Sequence, residues 1–228
     1  MGTLTIPANL DELIGHLTGS AFIEDEGQRN VRIAGADWPL ENGVTMIGHV
    51  RLKNMRDLIE RVVAAEVPGD VMECGVWRGG ACIFMRAVLK ALGDEDRTVW
   101  VADSFEGCPP GDHAFKELAV PLSEVVGHFE RFGLLDDKVH FIPGWFNDSL
   151  PGPVEQLALL RIDCDLYESY RVVMERMYPL VSSGGYVILD DYLLLPEAAR
   201  AVDEYRAAHG ITAKLEKVDG YAVFWQKP

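Results

Sequence analysis

Acids stand at four points of this 228-residue chain where chemistry could use them. Short apolar runs that read as strands end in carboxylates or are followed directly by them. Glu73 closes the first run, Asp103 follows the second, Asp163 the fourth, and Asp190 and Asp191 the fifth. In a parallel sheet these ends share one edge, so four strands would deliver acids to one crevice. Asp163, Asp190 and Asp191 form the densest group. Three adjacent carboxylates repel one another unless a proton, a cation or solvent offsets the charge. The six histidines show no ligand spacing, so the donors are oxygens alone, which suits a hard, hydrated cation such as Mg²⁺. Such an ion would bind a substrate hydroxyl and lower its pKa. Asp165, two residues past Asp163, is suited to take the proton or to add a ligand.

The turn after the first strand reads Glu73-Cys74-Gly75-Val76-Trp77-Arg78-Gly79-Gly80. Glycines there permit a sharp turn and close approach of a ligand to the backbone. The dinucleotide fingerprint is absent. Its second glycine would fall at Trp77, whose indole obstructs a pyrophosphate. The turn therefore fits a nucleoside without phosphates, with Glu73, Gly75, Trp77, Arg78 and Gly79 around it. Asp103, with Ser104 beside it, is suited to accept hydrogen bonds from ribose hydroxyls. After the third strand, Trp145 and Phe146 offer rings to an adenine, and Asn147 an amide to its polar edge. S-adenosylmethionine meets these demands. It has an adenosine, no phosphate, and a sulfonium cation that a cleft of acids attracts.

Alternating elements must position these residues. Strands are expected at Asp70–Val76, Thr98–Ala102, Val139–Ile142, Leu157–Ile162 and Gly185–Leu189. Helices are expected at 81–92, 123–132 with Ser123 as N-cap, 167–181 and 196–209. Residues 215–218 and 221–225 flank Asp219-Gly220, a two-residue hairpin signal. The pattern predicts an α/β, doubly wound, mainly parallel seven-stranded sheet with an antiparallel C-terminal hairpin. Helical spacing over Met46–Ala65, ended by Pro68-Gly69, divides the chain into a helical N-terminal extension or lid (1–65) and a core domain (66–228). Residues 1–44 read as irregular apart from an amphipathic piece at Asp11–Leu17.

Composition narrows the partners. Apolar residues make up 48% of the chain and the formal charge is −15, which disfavours nucleic acid and anionic membranes. Cys74, Cys82, Cys108 and Cys164 lack CxxC spacing. The opening MGTLTI lacks the Ser or Thr of a myristoylation pattern, and neither a charged leader nor a membrane-length apolar run appears. A cytoplasmic protein in a reducing compartment is expected.

The segments VMECGVWRGGACIFMRAVL, VWVADSFEGCPP, PGWFNDSLP, LLRIDCDLYESY and GGYVILDDY resemble the macrocin O-methyltransferase family, from about Thr45 to Tyr205. The resemblance implies transfer of a methyl group from S-adenosylmethionine, with Mg²⁺, to a sugar hydroxyl of a glycosylated natural product, in antibiotic biosynthesis. It puts Glu73, Gly75 and Asp103 at the cofactor and Asp163, Asp190 and Asp191 on the metal. Asp163 is then the general base or its immediate partner. The related catechol enzyme carries a lysine base where this chain has Leu166, so the base stays open between Asp163, Asp165 and a residue of the loop 106–121. Residues 1–50 and that loop, with Trp38, Cys108, Pro109, Pro110, His113 and Phe115, are expected to cover the acceptor. A homodimer or larger assembly is also implied. Two alternatives stand beside this reading: methyl transfer to a phenol or catechol, and a nicotinamide-dependent oxidoreductase, which Trp77 disfavours.

Overall fold

The computed structural model describes residues 9–35, 37–39, 41–109 and 116–228. Pro110, His113 and Phe115, expected to help cover the acceptor, lie outside them. The elements run α1 (Leu10–Thr18), α2 (Glu26–Ala34), α3 (His49–Ala64), β1 (Asp70–Cys74), α4 (Gly80–Ala91), β2 (Val99–Asp103) and α5 (Leu122–Arg131). There follow β3 (Val139–Pro143), α6 (Phe146–Ser149), β4 (Leu157–Ile162), α7 (Tyr167–Met177), β5 (Val181–Leu189), α8 (Pro196–Ala208), β6 (Glu216–Lys217) and β7 (Val223–Gln226). The sheet order is β3-β2-β1-β4-β5-β7-β6, parallel through β5 and antiparallel in β7 and β6. The α/β, doubly wound seven-stranded sheet with its closing hairpin is thus the observed fold.

Each face of the sheet has its own core. On one, α1, α3, α4 and α5 bury Leu17, Leu58, Phe84 and Phe129 against Val71, Val101 and Leu159. On the other, α7 and α8 bury Tyr170, Met174 and Val202 against Met72, Leu160 and Trp225. Parallel strands covered on both sides need apolar residues at every position, and all six residues of LALLRI are indeed buried.

Four local expectations are corrected. A second helix, α2, stands in the stretch beyond residue 17 that was expected to be irregular. Its sequence EGQRNVRIA has no apolar stripe and is held by the Asp25 cap and by buried Arg32, which donates to the carbonyls of Asp37, Met46 and Ile47. The next helix begins at His49 rather than Met46. Gly48 packs so closely on α2 that a Cβ would lie 2.5 Å from the Ile33 carbonyl oxygen. Ser123 is not a cap, since α5 starts at Leu122 after Pro121. Finally, β5 begins at Val181, where helix was expected to persist. The pairing jumps from Leu157–Val181 to Leu159–Tyr186, so residues 182–185 form an irregularity within the strand.

The N-terminal helices share a core with the sheet, so they are expected to unfold with it. Leu58→Ala should remove about 2–5 kcal/mol in a single urea transition. An early transition carrying the whole loss would show instead that residues 10–64 fold separately.

Candidate active site

The parallel ladder continues just past the strand ends and lines the acids up. Gly75 N–H donates to Ala102 O (2.9 Å), Asp163 N–H to Cys74 O (2.9 Å) and Asp190 N–H to Ile162 O (3.0 Å). Gly75 must be glycine: its φ is +85° and a Cβ there would sit 1.8 Å from the Asp163 carbonyl oxygen. The chain order reverses between β1 and β4, which opens a crevice at the carboxyl ends of the strands. A cavity of about 1280 Å³ fills that crevice.

Glu73, Gly75, Trp77, Asp103, Ser104, Trp145, Phe146, Asn147, Asp163, Asp165, Asp190 and Asp191 all line it. Arg78 and Gly79 do not. Arg78 turns away, donating to Gly43 O (2.9 Å) and covering the Trp77 ring. A Cβ on Gly79 would press on Val125 of α5 at 2.7 Å, so this glycine serves helix packing. Trp77 holds a left-handed backbone (φ 47°), donates its indole N–H to Glu117 O (2.8 Å) and meets Trp38 edge-on. It thereby links the N-terminal segment to the far side of the loop 106–121. Ser104 is engaged by its own turn, donating to Gly107 O and accepting from Glu106 N–H. Both Asp103 oxygens accept backbone bonds, from Val76 N–H (2.7 Å) and Phe105 N–H (2.8 Å), and the Ser104 hydroxyl lies 3.4 Å from Oδ1.

The group that the acid pattern did not reveal is Arg161. Its guanidinium is 2% exposed and donates to Glu73 and Asp190, with Asp163 2.9 Å away. A basic residue inside an apolar parallel strand is the signal that could have found it, because a buried charge must be paired. Arg51, from the first turn of α3, pairs with the other Asp190 oxygen. The Tyr170 hydroxyl lies 3.0 Å from both Asp191 Oδ2 and Ile162 O and shares its one proton between them. Cys82 donates to Glu73 at 2.8 Å.

Two guanidinium groups thus face the five carboxylates of Glu73, Asp163, Asp165, Asp190 and Asp191. Burial and mutual repulsion raise the pKa of Asp163 and Asp165, and lift Asp191 to about 7 even though Tyr170 and Arg161 oppose the shift. Asp165 sits at a tight turn with left-handed backbone (φ 56°). Its carboxylate accepts no hydrogen bond and forms no ion pair among the described residues. Asp163, Asp190 and Asp191 each offer one oxygen, and these lie within 4.8 Å of one another. Around an octahedral hard ion, ligand oxygens stand about 2.9–4.1 Å apart. Oxygen donors and the surplus of negative charge fit a Mg²⁺-like cation.

This sheet order, with acids and a glycine turn at the strand ends, defines the class I methyltransferase fold. A solved O-methyltransferase from Bacillus cereus in complex with SAH shares it, at a TM-score of 0.58 and 15% identity over 97% of this chain and 93% of that one. The chain belongs to the macrocin O-methyltransferase (TylF) family, whose model matches residues 14–227, and is an O-methyltransferase. It is 49% identical to a tetracenomycin-C rhamnosyl 4'-O-methyltransferase of Streptomyces olivaceus, covering 90% of this chain and 84% of the relative. Identity is 44% to mycinamicin III 3''-O-methyltransferase of Micromonospora griseorubida, over 93% and 87% of the two chains. The structure of the O-methyltransferase NovP superposes with a TM-score of 0.89 at 46% identity, covering 96% of this chain and 97% of that one. Membership removes the oxidoreductase alternative.

The raised Asp191 pKa has a stability consequence. The native state holds a proton that the unfolded chain releases near 3.8, so metal-free stability falls as pH rises from about 4 to about 7. Asp191→Asn, which keeps an acceptor for Tyr170, should therefore raise the metal-free Tm at pH 8 by several degrees and leave it nearly unchanged at pH 4. Scanning calorimetry at both pH values checks this; equal Tm values for wild type and variant at pH 8 would refute it.

Proposed function

We propose that the protein transfers the methyl group of S-adenosylmethionine to a sugar hydroxyl of a small-molecule glycoside, in the biosynthesis of an antibiotic-type natural product. The observation that carries this reading is the row of strand-end carboxylates opening into one large cavity with aromatic walls. Asp103 receives the ribose hydroxyls, Trp145 and Phe146 lie along the adenine, and Asn147 meets its polar edge. The excess of carboxylates favours a sulfonium cation over a neutral thioether, so the cofactor is held more firmly than its product.

Asp163, Asp190 and Asp191 would hold Mg²⁺, which when bound acts as a Lewis acid that acidifies and orients the acceptor hydroxyl. Asp165 is the general base. What supports this choice over Asp163 is that its carboxylate forms no ion pair among the described residues, whereas Asp163 faces Arg161 and belongs to the trio of acids spaced for a cation. The hydroxyl proton passes to the Asp165 carboxylate, the oxygen forms its bond to the methyl carbon, and the carbon–sulfur bond breaks to leave neutral S-adenosylhomocysteine. Most of the acceleration comes from holding oxygen, carbon and sulfur in line.

Further support comes from relatives named for action on glycosylated antibiotics, among them tetracenomycin-C and mycinamicin III methyltransferases. The four free cysteines accord with a cytoplasmic location, and no helix among the described residues is long and apolar enough to cross a membrane. The net charge of −15 argues against nucleic acid as substrate. The family resemblance carries a homodimer or larger assembly into the proposal.

Asp165→Asn should cut turnover of glycoside acceptors by about 10²–10⁴-fold while S-adenosylhomocysteine affinity by calorimetry is retained. Full activity in that variant refutes the base assignment. A panel in which catechols are methylated and glycosides are not would overturn the substrate class.

A further inference from the structure

Arg51 stands between two carboxylates that belong to different parts of the fold. Its side chain is 10% exposed and donates to Asp190 Oδ2, while its Nε lies 3.0 Å from Asp219 Oδ2. The guanidinium also rests 5.2 Å from the Tyr221 ring centre. Asp219 is pinned: its Oδ1 accepts from Tyr221 N–H (2.8 Å) and Ala222 N–H (2.9 Å), which turns Oδ2 toward the arginine. Despite the short distance, Nε has no aligned hydrogen-bond acceptor among the described residues. Arg51 therefore bonds to Asp190 and, more loosely at 3.4 Å, to Gly35 O, and only approaches Asp219.

Asp190 in turn has both oxygens engaged, Oδ1 by Arg161 and Oδ2 by Arg51. The two arginines are not equivalent. Arg161 is enclosed and tied to Glu73, Asp163 and Asp190 together, so it cannot leave one without stranding its charge. Arg51 lies at the cavity wall and has a second carboxylate within reach. Without Arg51, Asp190 would still be held by Arg161 and by its backbone bond to Ile162 O, and Oδ2 would face the other acids.

We propose that Arg51 is a displaceable counter-ion of the cation site. It sits on Asp190 when the site is empty and swings fully onto Asp219 when a divalent cation takes Oδ2. The proposal rests on the metal reading above and adds a positioning residue that sets cation affinity. A guanidinium on a ligand oxygen weakens cation binding twice: it occupies the lone pair and cancels a negative charge at contact distance. Asp219 offsets that competition by offering the arginine another partner. The C-terminal hairpin thereby takes part in metal binding without touching the metal.

The test is Mn²⁺ binding to the full chain, read from the electron paramagnetic resonance signal of the free ion, without cofactor or acceptor. Arg51→Met should bind Mn²⁺ about tenfold more tightly than wild type. Asp219→Asn keeps the turn acceptor but loses the charge, and should bind it several-fold more weakly. In the Arg51→Met background Asp219→Asn should have no effect. Circular dichroism confirms that each variant is folded, and Arg51→Lys serves as an intermediate case if the methionine variant is not. Wild-type binding that is unchanged or weakened by loss of Arg51 overturns the counter-ion role and leaves the metal site standing. No Mn²⁺ binding by any folded variant at millimolar concentration removes the metal reading, and this proposal with it.

Discussion

A guanidinium group shut away from water is tolerable only among carboxylates, and Arg161 imposes that condition on three strands at once. It stands on β4 opposite Glu73 of β1 and Ile188 of β5, so its side chain reaches acids on both neighbouring strands. Removing any one of those acids leaves a buried positive charge short of a partner, and removing the arginine leaves acids repelling one another. The same contacts that make the strand ends mutually dependent also aim Asp163 and Asp190 into the cavity before any ligand arrives. Orientation settled in advance means that little reorganisation remains for the moment of reaction.

Asp103 does comparable work at the other end of the cleft. By accepting Val76 N–H and Phe105 N–H it joins the turn after β1 to the loop after β2. A nucleoside bound there would lean on a residue that already holds both walls. On the proposed reading, binding and loop order would be coupled through one carboxylate.

Much of this was legible in the sequence because parallel strands carry a plain signature. Apolar runs such as VME, VWVAD and LALLRID end in acids, and alternation with helices forces those ends onto one edge. What escaped was of two kinds. Features that depend on contact between distant segments leave no local trace: Arg51 meets Asp190 and Asp219, both far along the chain from it. Gly79 resembled a ligand-facing glycine, yet its missing side chain makes room for Val125. The other kind was present and overlooked. Arg161 breaks an otherwise apolar strand, and attention to acids passed over the cation that organises them. Helix α2 belongs with the first kind, since it is held by a cap and by a buried arginine whose acceptors lie outside the helix.

The position of Trp77 has a consequence for how such an enzyme can diversify. Its indole ties together Trp38 on one side and Glu117 on the other, in connections between the main elements, while the clustered acids stand at strand ends. Loops tolerate substitution and changes of length far better than strands do. On the proposed reading, altered acceptor preference would accumulate in these connecting segments while the strand-end acids stay as they are, with one tryptophan as the joint between the part that drifts and the part that does not.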